Sequence, residues 1–161
     1  MIRAIGHNDV VEAISLMSKS EKENNYLNIK RKDSKWIAFF LNHVHEQSMN
    51  NPNFLAIGHY EDNKEGNLNG FLLASSFSNH YNDDVIMDVK DCIVDSPDNQ
   101  RATYITIMLF NELMDHIRKY GGSKWRADSI RDDKSQGYSK LLRIKYNADI
   151  CHSAHGKINE T

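Results

Sequence analysis

The chain is predicted to fold as a single-domain α/β (α+β) protein, with a mixed, mostly antiparallel sheet flanked by helices. Three observations predict this. At 161 residues, the length suits one domain of about 150 residues. The hydrophobic period changes along the chain, with helical spacing on either side of three consecutive strand-like segments. No linker, internal repeat or low-complexity tract divides residues 1–161.

The elements follow in order. Ile2, Ala4 and Ile5 suggest a short strand, and Asn8 offers an N-cap for a helix from Asp9 to about Lys19 on Val10, Val11, Ala13, Ile14 and Met17. Ser20 to Lys32 is polar and reads as a loop or a frayed helix. A second helix follows Asp33 and Ser34, with Trp36, Ile37, Phe40, His43, Val44 and Gln47 on one face. Asn50-Asn51-Pro52-Asn53 ends it. Phe54–Tyr60 and Leu68–Ser75 read as strands around a turn over Glu61–Asn67.

After a polar loop from Ser76 to Asp84, Val85–Val94 alternates, with Val85, Met87, Val89 and Ile93 on one parity and Asp91 interrupting it. The clearest helix runs from about Ala102 to Tyr120 on Ile105, Met108, Leu109, Leu113 and Ile117, and Gly121-Gly122 stops it. Lys124–Asp128 reads as a strand. A helix starts at Ser135 or Gln136, carries Tyr138, Leu141 and Leu142, and breaks at Asn147-Ala148. Ile150–Ile158 reads as a weak final strand. The predicted order is β-α-α-β-β-β-α-β-α-β.

Bulk properties exclude several classes. Lys and Arg total 20 against 22 Asp and Glu, so no basic excess favours a nucleic acid partner. The first residues lack the apolar core of a signal peptide, and Trp36–Leu41, the longest apolar run, is far too short to cross a bilayer. Cys92 and Cys151 make no disulfide framework, and reduced thiols suit a cytoplasmic location. The eight histidines are scattered: His43 and His45, like His152 and His155, diverge in direction, and His59 and His80 are isolated. No metal site is predicted. Eight glycines and two prolines are few, and 17 asparagines are many.

The segment ahead of the long helix is Asp95-Ser96-Pro97-Asp98-Asn99-Gln100-Arg101-Ala102-Thr103-Tyr104-Ile105. A helix N-terminus offers unpaired N–H groups and the positive end of the dipole, which suit phosphate. With the element order, this segment makes nearly the whole chain resemble the GNAT superfamily of acyl-CoA N-acyltransferases. That family pattern is Gln/Arg-x-x-Gly-x-Gly/Ala. Gln100 falls in place, whereas Thr103 and Ile105 stand where the family has glycine or another small residue.

The resemblance implies an acyl-CoA N-acyltransferase-like fold and acetyl-CoA as cosubstrate. Its diphosphate would meet Gln100, Arg101, Ala102, Thr103 and Tyr104, and its thioester arm would meet the strand before the turn at Cys92 and Val94. Transfer to an amine needs a base, a stabilised oxyanion and a proton for the departing thiolate. Asp91, on the otherwise apolar parity, is the candidate base in preference to Asp88. Tyr138 is the candidate acid, in preference to Tyr146; Arg143 occupies the position that the family's tyrosine usually holds. His80, Tyr81, Asp83 and Asp84 would contact the acceptor, the aspartates suiting a cationic amine. The implied activity is N-acetylation of a primary amine of a small molecule or protein. The alternative is a non-catalytic protein of the same fold, a homo-oligomer or a component of a larger assembly such as a viral particle.

Overall fold

A computed structural model describes residues 1–24, 32–61, 67–78, 84–96, 98–127 and 135–149, with only the backbone of 21–24 and 135–136. The predicted final strand, His80-Tyr81, Asp83, Pro97, Cys151, His152 and His155 lie outside the described residues.

Among the described residues, five strands form one sheet in sequence order: β1 (Ile2–Ala4), β2 (Phe54–Tyr60), β3 (Leu68–Ser78), β4 (Val85–Val94) and β5 (Lys124–Ala127). Neighbours pair antiparallel except β4 and β5, which are parallel. A parallel pair needs a crossover, and the long helix between them supplies it. The helices are α1 (Val10–Asn24), α2 (Asp33–Ser48), α3 (Asn99–Lys119) and α4 (Ser135–Tyr146).

Two apolar layers cover the two faces. On one, Ala13, Leu16 and Met17 of α1 and Trp36, Phe40 and Val44 of α2 bury Ala56, Tyr60, Phe71 and Leu73. On the other, Ile105, Leu109, Phe110, Leu113 and Ile117 of α3, with Leu142 of α4, bury Leu55, Ile57, Leu72, Ala74, Met87 and Val89. The near-continuous burial of β2 follows from helices on both sides.

Local chemistry moves several predicted boundaries. Asn8 is not an N-cap: His7–Asp9 forms a 3₁₀ turn, and the Asp9 carboxylate accepts the Gly6 N–H at 2.9 Å. That carboxylate also accepts the hydroxyl of buried Tyr60 at 2.8 Å. Helix α1 continues to Asn24, through part of the segment read as a loop or frayed helix. Strand β3 runs on to Ser78. Helix α3 starts at Asn99, three residues before Ala102, because Asp98 caps it: its carboxylate accepts the Gln100 N–H at 3.0 Å.

The helix ends explain the composition. Asn50 and Asn147 hold positive φ angles of 58° and 52°, and Gly121 holds 76°. Asparagine tolerates the left-handed region that closes a helix, so it does at α2 and α4 what glycine does at α3.

Candidate active site

The geometry of β4 organises the site. Leu73 pairs with Asp91 and Ala74 with Val89, leaving Lys90 as a bulged residue. A bulge shifts the side-chain alternation by one. Met87 and Val89 therefore face α3, Ile93 packs against the α1/α2 layer, and Cys92 and Val94 pack on the α3 side.

This corrects the parity read from the sequence. Asp91 does not share a face with Met87 and Val89. It lies on the α1/α2 face, where its Oδ2 accepts the indole N–H of Trp36 at 3.1 Å. Asp88, expected opposite Asp91, comes to the same face by the same shift. Lys90 pairs with Asp88 and Arg101 with Glu61.

Asp88 is 4% exposed. Arg126 of β5 grips it with Nε at 3.1 Å and Nη2 at 3.0 Å, and the Arg126 guanidinium lies 4.9 Å from the centre of the Phe77 ring. Burial pushes the Asp88 carboxyl up, but the hydrogen bonds from Arg126 and Lys90 outweigh it and hold it below the usual range. A carboxylate held ionised by two cations is a poor proton acceptor near neutral pH. Asp88 is thus the structural carboxylate of the pair.

Among the described residues, β5 pairs with β4 from Ile86 to Val89, and β4 runs on to Val94. Asp95 N donates to Asn69 O at 2.9 Å. In an antiparallel ladder, alternate residues turn both main-chain polar groups to one side. Counting back from Asp95, Ile93 and Asp91 face β3, so the N–H and C=O groups of Cys92 and Val94 point away from it, on the β5 side. Gln100 to Tyr104 lie in the first turns of α3, just beyond this strand; Ala102 is half-buried and the other four are exposed.

Ile105 does not obstruct the turn. It is 1% exposed and points at the sheet over Gly70, where an added Cβ would lie 3.2 Å from its Cγ2. The groups suited to phosphate instead already have partners. Asp98 holds the Gln100 N–H, and Glu61 holds the Arg101 guanidinium.

The two tyrosines separate. The Tyr138 ring packs edge-on to Phe110 with centroids 6.0 Å apart. The Tyr146 hydroxyl lies 3.0 Å from Ile107 O and 2.9 Å from Asn111 Oδ1. Burial, then the nearby Cys92, pushes Tyr146 up to about 12. The Tyr146 hydroxyl is thus a hydrogen-bonded group set between α4 and α3. Its place near the end of α4, against Asn147, was the sequence signal for it. Trp36 was visible only as a member of an apolar stripe. Asp84 pairs with Lys124, and among the described residues no His, Cys, Asp and Glu cluster could hold a metal ion. No described helix is long and apolar enough to cross a membrane.

A mostly antiparallel sheet of five described strands, bulged on β4 and with a long crossover helix between its parallel pair, β4 and β5, is the acyl-CoA N-acyltransferase (GNAT) fold. Solved structures agree. An aminoglycoside acetyltransferase from an uncultured soil metagenomic sample superposes with a TM-score of 0.67 at 18% identity, covering 99% of this chain and 96% of its own. Glucosamine-6-phosphate N-acetyltransferase from Arabidopsis thaliana gives 0.64 at 16% identity, covering 99% and 98%. PaiA N-acetyltransferase from Thermoplasma acidophilum, solved with coenzyme A, gives 0.65 at 18% identity, covering 89% and 87%. No family model matches the sequence, and no curated protein matches it.

Proposed function

We propose that the protein is an acetyl-CoA-dependent N-acyltransferase that acetylates a primary amine. The observation that carries this reading is the fold, a bulged β4 leading into a long crossover helix, with the polar main-chain groups of Cys92 and Val94 turned to the side of β4 away from β3. A thioester arm, itself an amide-rich chain, can pair there as a short strand. The acetyl-CoA resemblance fits this end of the site; the diphosphate end is held by Asp98 and Glu61.

Acetyl-CoA supplies an activated acyl group. Asp91 takes the proton of the amine, with the Trp36 indole fixing the carboxylate's orientation. A main-chain N–H of Cys92 or Val94 polarises the acyl carbonyl. Tyr138 is the sequence-based donor to the departing sulfur. Tyr146, the other tyrosine of α4, has its hydroxyl engaged by Ile107 O and Asn111 Oδ1. Gln100, Arg101, Ala102, Thr103 and Tyr104 form the surface toward the diphosphate.

The test is calorimetric titration of the purified chain with acetyl-CoA, followed by an amine-acetylation assay over a panel of small amines and peptides. We expect binding, and Asp91→Asn should abolish turnover while leaving that binding unchanged. No binding at millimolar acetyl-CoA sinks the enzyme reading, and full activity of Asp91→Asn removes Asp91 from the mechanism. One observation favours a second reading, a non-catalytic protein of this fold within a larger assembly: internal carboxylates already satisfy the Gln100 N–H and Arg101. A cytoplasmic site belongs to the first reading and a virion to the second.

A further inference from the structure

The bulge on β4 does more than set the strand's parity. In an unbroken strand Lys90 and Asp91 would point to opposite faces of the sheet. Here Ala74 pairs with Val89 and Leu73 with Asp91, and both side chains come to the face that α1 and α2 cover. Asp91 Oδ2 accepts the Trp36 indole N–H there at 3.1 Å, and Lys90 Nζ donates to Asp88 Oδ2 on the same face. Bulges next to active sites re-aim side chains in this way. The result is an ammonium and a carboxylate from adjacent residues of one strand, on one face.

Lys90 is the second cation on a carboxylate that already has one. Arg126 holds Asp88 in a fork, Nε to Oδ1 at 3.1 Å and Nη2 to Oδ2 at 3.0 Å. That pairing neutralises Asp88 by itself. Lys90 adds a further positive charge, on a side chain 36% exposed against 5% for that of Asp88. An ammonium carries three donors, and Asp88 takes one of them. The charge is also felt in the layer beneath: burial lowers the pKa of the His43 imidazole, and Lys90 lowers it further. Asp84, expected from the sequence to meet a cationic amine, pairs with Lys124.

We propose that Lys90 selects the acceptor: the amine substrate is a zwitterion, with its nitrogen against Asp91 and its anionic group against the Lys90 ammonium. The inference rests on the acyltransferase reading with Asp91 as base, and it names the class of amine that the site takes. The sheet sets the span. Asp88 and Asp91 face Ser75 and Leu73, two residues apart on β3, or roughly 7 Å along the strand. An ammonium docked on Asp88 thus suits a longer molecule than an α-amino acid, whose two charges are adjacent. A short ω-amino acid, or an aminoalkyl phosphonate of similar length, matches the span. An ammonium meets either anion as a point charge, so the two share the site. A diamine of that length puts its second cation against Lys90 and is rejected.

The experiment measures kcat/KM for acetyl transfer from acetyl-CoA to matched amines: short ω-amino acids, their methyl esters, 3-aminopropylphosphonate and cadaverine. The wild type should prefer each ω-amino acid to its ester about tenfold, the ratio that ~1.4 kcal/mol produces, and should take cadaverine least. Lys90→Met should bring the acid-to-ester ratio near one, and Lys90→Arg, which keeps the charge, should retain most of it. Thermal midpoints verify folding, and Lys90→Gln replaces the methionine variant if that one does not fold. A higher kcat/KM on the phosphonate or on the carboxylate supports the proposal either way and identifies the anion. A wild-type ratio near one, a preference for cadaverine, or a preference for the acid that survives Lys90→Met overturns the proposal and leaves the acyltransferase reading standing. So does acetylation of amines outside this set and of none within it. If no amine of any class is acetylated, both the selection and the acyltransferase reading fall.

Discussion

Gly70 and Ile105 define how closely α3 lies on the sheet, and Gly70→Ala perturbs that spacing directly. A Cβ on Gly70 would stand 3.2 Å from Ile105 Cγ2, 3.2 Å from Ile93 O and 3.2 Å from Val94 Cγ2. The Ile93 oxygen is main chain in a paired strand and cannot rotate away. The strain must therefore move α3 or the end of β4 by a few tenths of an ångström. Overpacking of this kind costs roughly 1–3 kcal/mol, and the lower unfolded-state entropy of alanine returns about 0.4–1 kcal/mol. The net expectation is a loss of about 1–2 kcal/mol. Ile105→Ala alone leaves a void at a residue 1% exposed and should cost ~2–5 kcal/mol. In the double variant the new methyl meets one fewer neighbour and partly fills the void. The two losses should then sum to at least ~0.5 kcal/mol more than the double variant loses. Urea denaturation of the four proteins, with a common m-value, measures the cycle. Additivity within ~0.3 kcal/mol, or a Gly70→Ala variant as stable as the wild type, refutes the reasoning that this glycine is kept for the approach of α3.

Two further outcomes follow from buried titratable groups. His43 is 2% exposed, its Nδ1 lies 2.9 Å from Phe39 O, and its Nε2 has no hydrogen-bond partner among the described residues. Burial lowers its pKa against the opposing pull of the Phe39 carbonyl, and Lys90 lowers it further. The unfolded chain thus takes up the proton first, and stability falls as pH drops below ~6.5 toward the folded value. His43→Phe should flatten the stability profile between pH 7 and 5 by up to ~1.4 kcal/mol per pH unit, as read by thermal melts; parallel profiles would show that His43 does not titrate with unfolding. Asp88→Asn removes the carboxylate that Arg126 and Lys90 share. The expected loss at pH 7 is about 2 kcal/mol, below the ~3–5 kcal/mol of a fully buried pair, because the Arg126 side chain is 53% exposed and can rehydrate. Since the folded Asp88 pKa is depressed, the wild-type advantage is complete above the usual carboxylate range and should shrink as pH falls through about 4 toward the folded value. An unchanged difference at pH 3 would contradict this.

Much of the fold was legible because periodicity and caps are local. The β4 boundaries, the apolar faces of α2 and α3, and the stops at Asn50, Gly121 and Asn147 all follow from neighbours within a few residues. The site was less legible because its decisive features are not local. The bulge at Lys90 arises from the pairing of β3 with β4; without it, counting by twos placed Asp91 on the wrong face and Asp88 opposite it. The Trp36–Asp91 bond spans 55 residues, and the Arg101–Glu61 pair spans 40. The start of α3 was misplaced for a different reason. Asp98 was read as part of a turn, whereas its carboxylate caps the helix and draws its first turn forward to Asn99.

The scarcity of glycine acquires a physical meaning once its two uses are separated. Where a helix needs only a left-handed residue, asparagine suffices, and Asn50 and Asn147 take that role with φ of 58° and 52°. Where a backbone must be approached closely, asparagine fails, because the Cβ itself is the obstacle. Gly70 meets that need under Ile105. At the start of α3 the resemblance would place glycine or another small residue at 103 and 105, where this chain has Thr103 and Ile105, and Asp98 stands just ahead of that pattern. A side chain at this turn can bind the helix N-terminus itself, which a glycine cannot. Asp98 does so, with the charge and the hydrogen bond that a phosphate would otherwise bring. Asparagine thus stands in for glycine at the ends of α2 and α4, glycine is kept where α3 meets the sheet, and an acidic side chain caps the start of α3.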